Sequence, residues 1–151
     1  MAKFQHLRTM LLTATCAVAL FLPPAASHAT GTNCSGLGSI TLCNTTNGSG
    51  MTVNWVAAKV DISACTPAGW YSIRHTIHGS NGAAWTSQVY KFYHNPQRGE
   101  CSQLVVKSYY LPQFTVNKTF DRQYNRSCVW LYNNATGSGV SIGSSCNGVN
   151  P

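Results

Sequence analysis

The densest group of chemically active side chains lies in the segment His94-Asn95-Pro96-Gln97-Arg98-Gly99-Glu100. In RNA cleavage, a histidine and a carboxylate can act as general base and general acid, one removing the proton of the ribose 2′-hydroxyl and the other protonating the leaving oxygen. A guanidinium can stabilise the charge that develops on the phosphate. His94, Arg98 and Glu100 are therefore the candidate catalytic residues for RNA cleavage. The simpler interpretation, which we favour, is a polar loop in which Arg98 and Glu100 pair weakly at the surface.

Other catalytic or metal-binding patterns are weak in this sequence. The string Gly139-Val140-Ser141-Ile142-Gly143 matches the nucleophile motif of hydrolases, but Ser141 falls in the predicted strand 140–144, the chain leaves no room for the helix that the motif needs, and no histidine follows it. His75 and His78 are three residues apart, so on a strand they point to opposite faces and do not share a metal. Because a C-x-x-C pair is also missing, we expect no metal and no cofactor. His75, between two isoleucines, is expected to face the core.

The aromatic residues indicate a site that binds rather than catalyses. One face of the predicted hairpin 70–93 combines aromatic and basic side chains: Trp70, Arg74, His78, Trp85, Lys91 and Tyr93. Flat rings flanked by hydrogen-bond donors are typical of surfaces that hold sugar rings or protein partners. Unless a second sheet covers this face, we expect the ligand-binding residues to be Trp70, Arg74, Trp85, Lys91 and Tyr93.

The hairpin that would position these residues is defined by its turn. The segment Gly79-Ser80-Asn81-Gly82 contains residues that tolerate positive φ, so His78 should pair with Ala83. Extending this register outward places Thr76 opposite Trp85, with alternate residues on the core face. A slip of one residue along one strand would exchange the two faces.

The first 29 residues predict an export signal. Lys3 and Arg8 precede an uncharged apolar run, and Ser27-His28-Ala29 offers small residues to a signal peptidase. The apolar run of about 13 residues is too short for a bilayer core, which needs about 20, so no transmembrane segment is expected. We expect 1–29 to be a cleaved signal peptide and 30–151 to be a single secreted β domain. The location would be extracellular, or periplasmic if the source is a Gram-negative bacterium.

Six cysteines follow the predicted signal, and an even number is typical of an exported, disulfide-bonded domain. Cys128 and Cys146 are equidistant from Gly137, inside a predicted turn, so an antiparallel ladder would place them opposite each other. By the same symmetry Cys65 and Cys101 flank the central hairpin, and Cys34 and Cys43 are the two that remain. The three predicted disulfides are therefore Cys34–Cys43, Cys65–Cys101 and Cys128–Cys146.

The charge of the chain is positive but unpatterned. Residues 30–151 contain eight Lys and Arg against three Asp and Glu, a balance of about +5 compared with +7 for the whole chain. Such a charge favours anionic partners, yet it is ordinary for a soluble domain, and the basic residues are scattered. A nucleic-acid partner is therefore only weakly supported.

Short strand-like runs between turn signals cover most of the remaining sequence. We expect strands at 39–43, 51–60, 70–78, 83–93, 101–110, 114–120, 128–132 and 140–144, with a turn at 44–50. This spacing predicts an all-β fold, a small disulfide-stapled antiparallel sandwich or barrel of about seven to eight short strands.

The leading functional hypothesis is a secreted binding module that recognises a glycan or an extracellular protein surface through the aromatic and basic face. One alternative is a small basic secreted hydrolase, with a ribonuclease that uses the 94–100 loop as its leading form. Another is a secreted inhibitor or toxin-type protein. An enzyme is the less favoured class, because no spacing rule singles out a catalytic constellation.

Overall fold

The computed structural model describes residues 30–79, 82–120 and 126–149. Within these ranges it contains ten strands: β1 (Gly31–Leu37), β2 (Ile40–Ser49), β3 (Thr52–Ser63), β4 (Gly69–Gly79), β5 (Gly82–Thr86), β6 (Tyr90–His94), β7 (Val106–Tyr110), β8 (Phe114–Thr119), β9 (Arg126–Tyr132) and β10 (Gly143–Gly148). No helix capable of crossing a membrane occurs in this part of the chain. The predicted signal peptide, residues 1–29, lies outside the described residues.

The strands form two antiparallel sheets that pack face to face. In the first sheet β1, β2 and β3 follow one another, and the free side of β3 pairs with β8 near its start and β7 near its end. In the second sheet the order is β10, β9, β4, and the other side of β4 pairs with β6 near its start and β5 near its end. The predicted all-β fold is confirmed, in the form of a sandwich of two sheets.

The strands are more numerous and differently divided than the sequence pattern suggests. The expected strand 83–93 is split into β5 and β6, and β1 was not expected. Residues 44–49, expected to form a turn, continue β2 instead, and Asn44 and Thr46 are fully buried there. Asn44 is tolerated inside because its Nδ2 donates a hydrogen bond to the Ser127 carbonyl at 2.6 Å.

The interior consists of two apolar clusters with polar residues between them. The first cluster includes Leu42, Val60, Ile62, Ile73 and Leu131, and the second includes Val53, Val56, Ile77, Phe120 and Val149. Along β4 the first cluster ends at Ile73 and the second begins at Ile77, so His75 lies between them. We call this region the polar layer, and its fully buried members are Asn44, Thr46, His75 and Ser127.

All three predicted disulfides are confirmed: Cys34–Cys43, Cys65–Cys101 and Cys128–Cys146. The first and last join residues that lie directly opposite each other in neighbouring strands, β1 with β2 and β9 with β10. The Cys65–Cys101 bridge links the end of β3 to the approach to β7. It therefore closes the excursion in which the chain leaves the first sheet to build β4, β5 and β6.

Candidate functional site

The candidate site lies on the side of the second sheet that is turned away from the first sheet, which we call the outer face. Strand alternation and register place on it side chains from three neighbouring strands: Trp70, Ser72, Arg74, Thr76 and His78 of β4, Lys91 and Tyr93 of β6, and Trp130 and Tyr132 of β9. The structure thus brings together four of the five proposed binding residues, namely Trp70, Arg74, Lys91 and Tyr93. Their role in binding stays a prediction.

Trp85 does not join the outer face. It lies opposite Ile77 and packs, partly buried, against the second core cluster. His78 pairs with Ala83 as predicted, but the ladder is irregular between Ile77 and His78, so the expected pairing of Thr76 with Trp85 is wrong. The insertion of one residue reverses the faces along β5, and this moves the indole from the outer face to the inner one.

A second irregularity returns the chain to the expected faces in β6. Between β5 and β6 the backbone N–H of Ser87 donates to the His75 carbonyl, and the Ser87 hydroxyl accepts from the His75 N–H at 3.0 Å. This detour adds another residue before the ladder resumes with Tyr90 opposite Ile73. Two single-residue shifts cancel in their effect on alternation, which is why β6 presents its basic and aromatic residues outward.

The start of β4 carries the most open aromatic group of the outer face. Trp70 and Tyr93 are opposite each other and are 48% and 47% exposed. Their ring centroids are 5.3 Å apart with an edge-to-face angle of 66°, and the Lys91 Nζ lies 5.7 Å from the centroid of the Trp70 ring. We call these three residues the Trp70 platform. An edge-to-face pair with an adjacent ammonium is a stable arrangement that leaves ring surface open to a ligand.

Two further aromatic residues of the outer face, Trp130 and Tyr132, were missed at the level of sequence. Trp130 lies opposite Arg74, and its Nε1 donates to the Thr76 hydroxyl at 2.8 Å. That hydroxyl is also 2.8 Å from Nε2 of His78, which completes a hydrogen-bonded row across β9 and β4. The alternation within 128–132 is visible in the sequence, but the pairing of β9 with β4 is not, because 54 residues separate Trp130 from Thr76.

The loop 133–142, which joins β9 to β10, crosses the outer face. Gly137 packs on Val89, because a Cβ added to Gly137 would lie 2.8 Å from both methyl groups of Val89. Val89 precedes β6, on the opposite side of β4 from β9, so the loop passes over β4. Ser72 beneath it is fully buried, and its hydroxyl has no hydrogen-bond partner among the described residues. We call this segment the crossing loop.

The crossing loop gives a direct stability prediction. Gly137→Ala is expected to lower the free energy of unfolding by about 2–3 kcal/mol, because φ is +62° and the new methyl group would collide with Val89. Gly139→Ala is the matched control, since its φ is +82° but no atom lies within 4 Å of an added Cβ. The control should lose only about 1 kcal/mol, from backbone strain alone. Urea denaturation measures both, and equal losses would mean that the loop does not rest on Val89.

The candidate catalytic residues do not meet at an open site. His94 is fully buried between the sheets, its Nδ1 lies 3.0 Å from the Tyr109 hydroxyl, and burial lowers the pKa of the imidazole. Glu100 pairs with Lys107 at 3.0 Å rather than with Arg98, which lies exposed. The backbone N–H of Gln97, with the Lys107 ammonium, lowers the pKa of Glu100. An RNA phosphate therefore has no route to the imidazole in this conformation.

The remaining chemical motifs have ordinary structural positions. Ser141 lies in the crossing loop just before β10, and the helix that a nucleophile elbow requires does not follow it in the described residues. No group of three or more His, Cys, Asp or Glu side chains in residues 30–79, 82–120 and 126–149 is placed to hold a metal ion.

The Trp70 platform thus remains the best-formed candidate site in the described part of the chain. It combines exposed aromatic rings with a positive charge, whereas the imidazole of the catalytic alternative is enclosed. Comparison with protein-family models, with curated proteins and with solved structures found no match to this chain.

Proposed function

We propose that this protein is a binding module that holds a glycan on the Trp70 platform. The observation that supports the proposal is the pair of half-exposed rings of Trp70 and Tyr93, packed edge to face beside the Lys91 ammonium. An exposed indole offers a flat apolar surface to the C–H face of a sugar ring, and neighbouring polar groups can bind the hydroxyls.

The platform is held rigidly, which favours binding because little conformational entropy is lost when the ligand arrives. Trp70 and Tyr93 are joined through the ladder between β4 and β6, and β4 is paired on its other side with β9. Beneath them, on the inner face, the rings of Tyr71 and Phe92 stack with centroids 5.8 Å apart. The two exposed rings therefore stand on a buried aromatic layer rather than on a loop.

We further propose that the protein acts outside the cytoplasm, as a secreted protein. Three disulfides support this, because such bonds persist in oxidising compartments and are rare in reducing ones. The charged, apolar and small-residue regions of residues 1–29 also support it, since that order is typical of an export signal. Glycans of cell surfaces and extracellular matrices are accessible to a protein in that location.

The proposal predicts that Trp70→Ala weakens glycan binding at least about tenfold, the usual loss when a central aromatic anchor is truncated. Dissociation constants from calorimetry, with the best ligand of a panel of polysaccharides, measure the effect. The fold should be retained, because Trp70 is 48% exposed and contributes little to the core.

Tyr110→Ala is the matched control for the loss of an exposed ring. Tyr110 is 77% exposed on the first sheet and has its own cation nearby, the Lys59 Nζ at 5.5 Å from the ring centroid. This variant should bind glycan as the parent protein does. Binding that depends on Tyr110 but not on Trp70 would move the site to the other sheet, and a panel without any bound polysaccharide would refute glycan recognition.

A specific observation also supports the inhibitor-type alternative. Leu104 is 80% exposed and has a φ of 55°, a left-handed conformation that bulky residues rarely adopt. Its N–H donates to the carbonyl of Cys101, which the disulfide to Cys65 holds in place. Such a braced, protruding side chain fits insertion into a pocket of a protein partner. Protease inhibition that is lost in Leu104→Ser and kept in Trp70→Ala would favour this function over glycan binding.

A further inference from the structure

The charged side chains are divided unequally between the two sheets. Both carboxylates of the described residues belong to the first sheet or to the loop that leads into it, and each is paired with a lysine. Asp61 lies 2.8 Å from Lys59, and Glu100 lies 3.0 Å from Lys107. Two of the three lysines of the first sheet are therefore neutralised by partners of their own, and the third, Lys118, donates to the carbonyl of Ala84.

Among the described residues, the second sheet has no such compensation. None of its five strands contains Asp or Glu, while its outer face carries three permanent cations: Arg74, Lys91 and Arg126. In the ladder Arg126 lies opposite His78, and Lys91 lies opposite Ser72. Ser72 and His78 are six residues apart along β4, so Lys91 and Arg126 are separated by about 20 Å along the strand direction at the usual rise of a strand. Positive charge thus lies along this face, interrupted where the crossing loop covers β4 at Ser72.

Each of the three cations also lies beside a ring. Lys91 approaches the indole of Trp70, Arg74 is opposite Trp130, and Arg126 is opposite His78. A cation whose neighbour is a ring rather than a carboxylate is poorly neutralised by the protein itself and can form a charge-assisted hydrogen bond to an incoming anion. At the Trp70 platform the ring also offers the flat contact that a sugar requires.

We propose that the ligand of the outer face is an anionic glycan, a sugar chain that bears carboxylate or sulfate groups. This inference rests on the proposed function and adds the chemical class of the ligand to it. A neutral glycan would stack on Trp70 but would leave the three cations without a partner. An anionic chain would gain from both, with a sugar ring on the Trp70 platform and its acidic groups near Lys91, Arg74 and Arg126.

The outer face fits a glycan better than a single-stranded nucleic acid. Nucleic-acid strands are held by successive exposed rings on which consecutive bases stack. Among the described residues of the outer face, only Trp70 and Tyr93 are large exposed aromatics, and they form one edge-to-face pair. Trp130 does not add another exposed ring, and its Nε1 is already bonded to Thr76. The row of stacking rings that a nucleic-acid strand needs is therefore missing from the described residues of this face.

The test uses three polymers that share one backbone: dextran, carboxymethyl-dextran and dextran sulfate. At least one charged form should bind the oxidised protein at least tenfold more tightly than dextran, and its affinity should fall as salt is raised. The double variant Lys91→Gln/Arg126→Gln removes two exposed charges and should weaken that binding at least tenfold. The slope of log affinity against log salt should fall by about two, roughly one for each cation removed.

Arg98→Gln is the matched control, because it removes an exposed positive charge from the loop after β6, which is not part of the outer face. It should leave the affinity for the charged polymers unchanged, and an equal loss would overturn the inference in favour of unspecific charge attraction. If plain dextran bound as tightly as both charged forms, and if this binding depended on Trp70, the ligand would not be an anionic glycan, but the proposal of glycan recognition would stand. Failure to bind any polysaccharide refutes both proposals. Tighter binding of poly(U), with the same dependence on Lys91 and Arg126, would overturn the inference in favour of a nucleic acid.

Discussion

Removal of the Cys65–Cys101 disulfide, as the double variant Cys65→Ser/Cys101→Ser, is expected to lower the free energy of unfolding by about 4 kcal/mol. This bridge spans 36 residues, the longest separation of the three, so it restricts the unfolded chain the most. It also joins the two points at which the chain leaves and re-enters the first sheet. Without it, the whole excursion through β4, β5 and β6 must be closed by packing alone.

Cys34→Ser/Cys43→Ser is the comparison that isolates the effect of loop length. That bridge spans 9 residues between directly paired strands, and its loss should cost about 3 kcal/mol by the same relation. Urea denaturation under oxidising conditions, with the other bridges intact, gives both values from the midpoint and the slope. A larger loss for the short bridge would show that local strain or packing, rather than the entropy of the unfolded chain, governs disulfide stabilisation here.

The disulfide pairing could be read from the sequence because the information is local. Cys128 and Cys146 flank a single turn region at equal distance, and an antiparallel ladder turns equal distance into direct opposition. The alternation of apolar residues in β4 is equally local, and it placed Trp70 and Arg74 on one face and Ile73 on the other. Such features depend only on neighbours within one hairpin.

The position of Trp85 shows where local reasoning fails. The register predicted from the turn runs without a break through 83–93, but the ladder gains one residue near His78 and another near Ser87. A hydroxyl bonded to a backbone N–H of the next strand is enough to hold the second of these irregularities. The residue pattern does not mark it, because a single serine does not show which backbone group its hydroxyl will bond.

The extension of β2 fails for a different reason. Residues 44–50 are rich in Asn, Thr, Gly and Ser, which is the composition of a turn. Asn44 is nevertheless inside, because its Nδ2 donates to the carbonyl of Ser127, 83 positions away, and its backbone carbonyl accepts from Asn147, 103 positions away. Polar satisfaction over such distances depends on the completed fold, and the same holds for Trp130 next to Thr76. The polar layer was therefore invisible to a pattern of apolar residues.

His75, in the middle of that layer, is the source of the second large expected effect. The ring is fully buried, it packs against Phe114 with centroids 5.5 Å apart, and neither ring nitrogen has a hydrogen-bond partner among the described residues. Burial lowers the pKa of His75 to about 4. The core-facing position is as predicted, but the local hydrogen bond expected for a buried imidazole is missing from this part of the structure.

The lowered pKa makes the fold sensitive to acid. In the unfolded chain His75 takes up a proton near its ordinary pKa of about 6.5, whereas in the folded protein it stays neutral down to a pH of about 4. Between these values the unfolded state binds more protons, so the free energy of unfolding falls as the pH falls. Across the whole window the loss amounts to about 3 kcal/mol from this one residue. Burial lowers the pKa of His94 as well, which adds to the loss in the same direction.

His75→Leu should therefore be no less stable than the parent at pH 7.5. Between pH 7.5 and pH 4 its stability relative to the parent should rise by about 3 kcal/mol. Leucine fills a similar volume and leaves no polar atom without a partner. Ile73→Val, two residues earlier on the same face, is the control, because it should lose about 1 kcal/mol at both pH values. Urea denaturation at several pH values between 4 and 7.5 compares the three proteins. If the leucine variant kept the full acid sensitivity of the parent, the prediction would fail, because His75 would then be protonated in the folded state. The polar layer would have to admit a charge, which is costly between two apolar clusters.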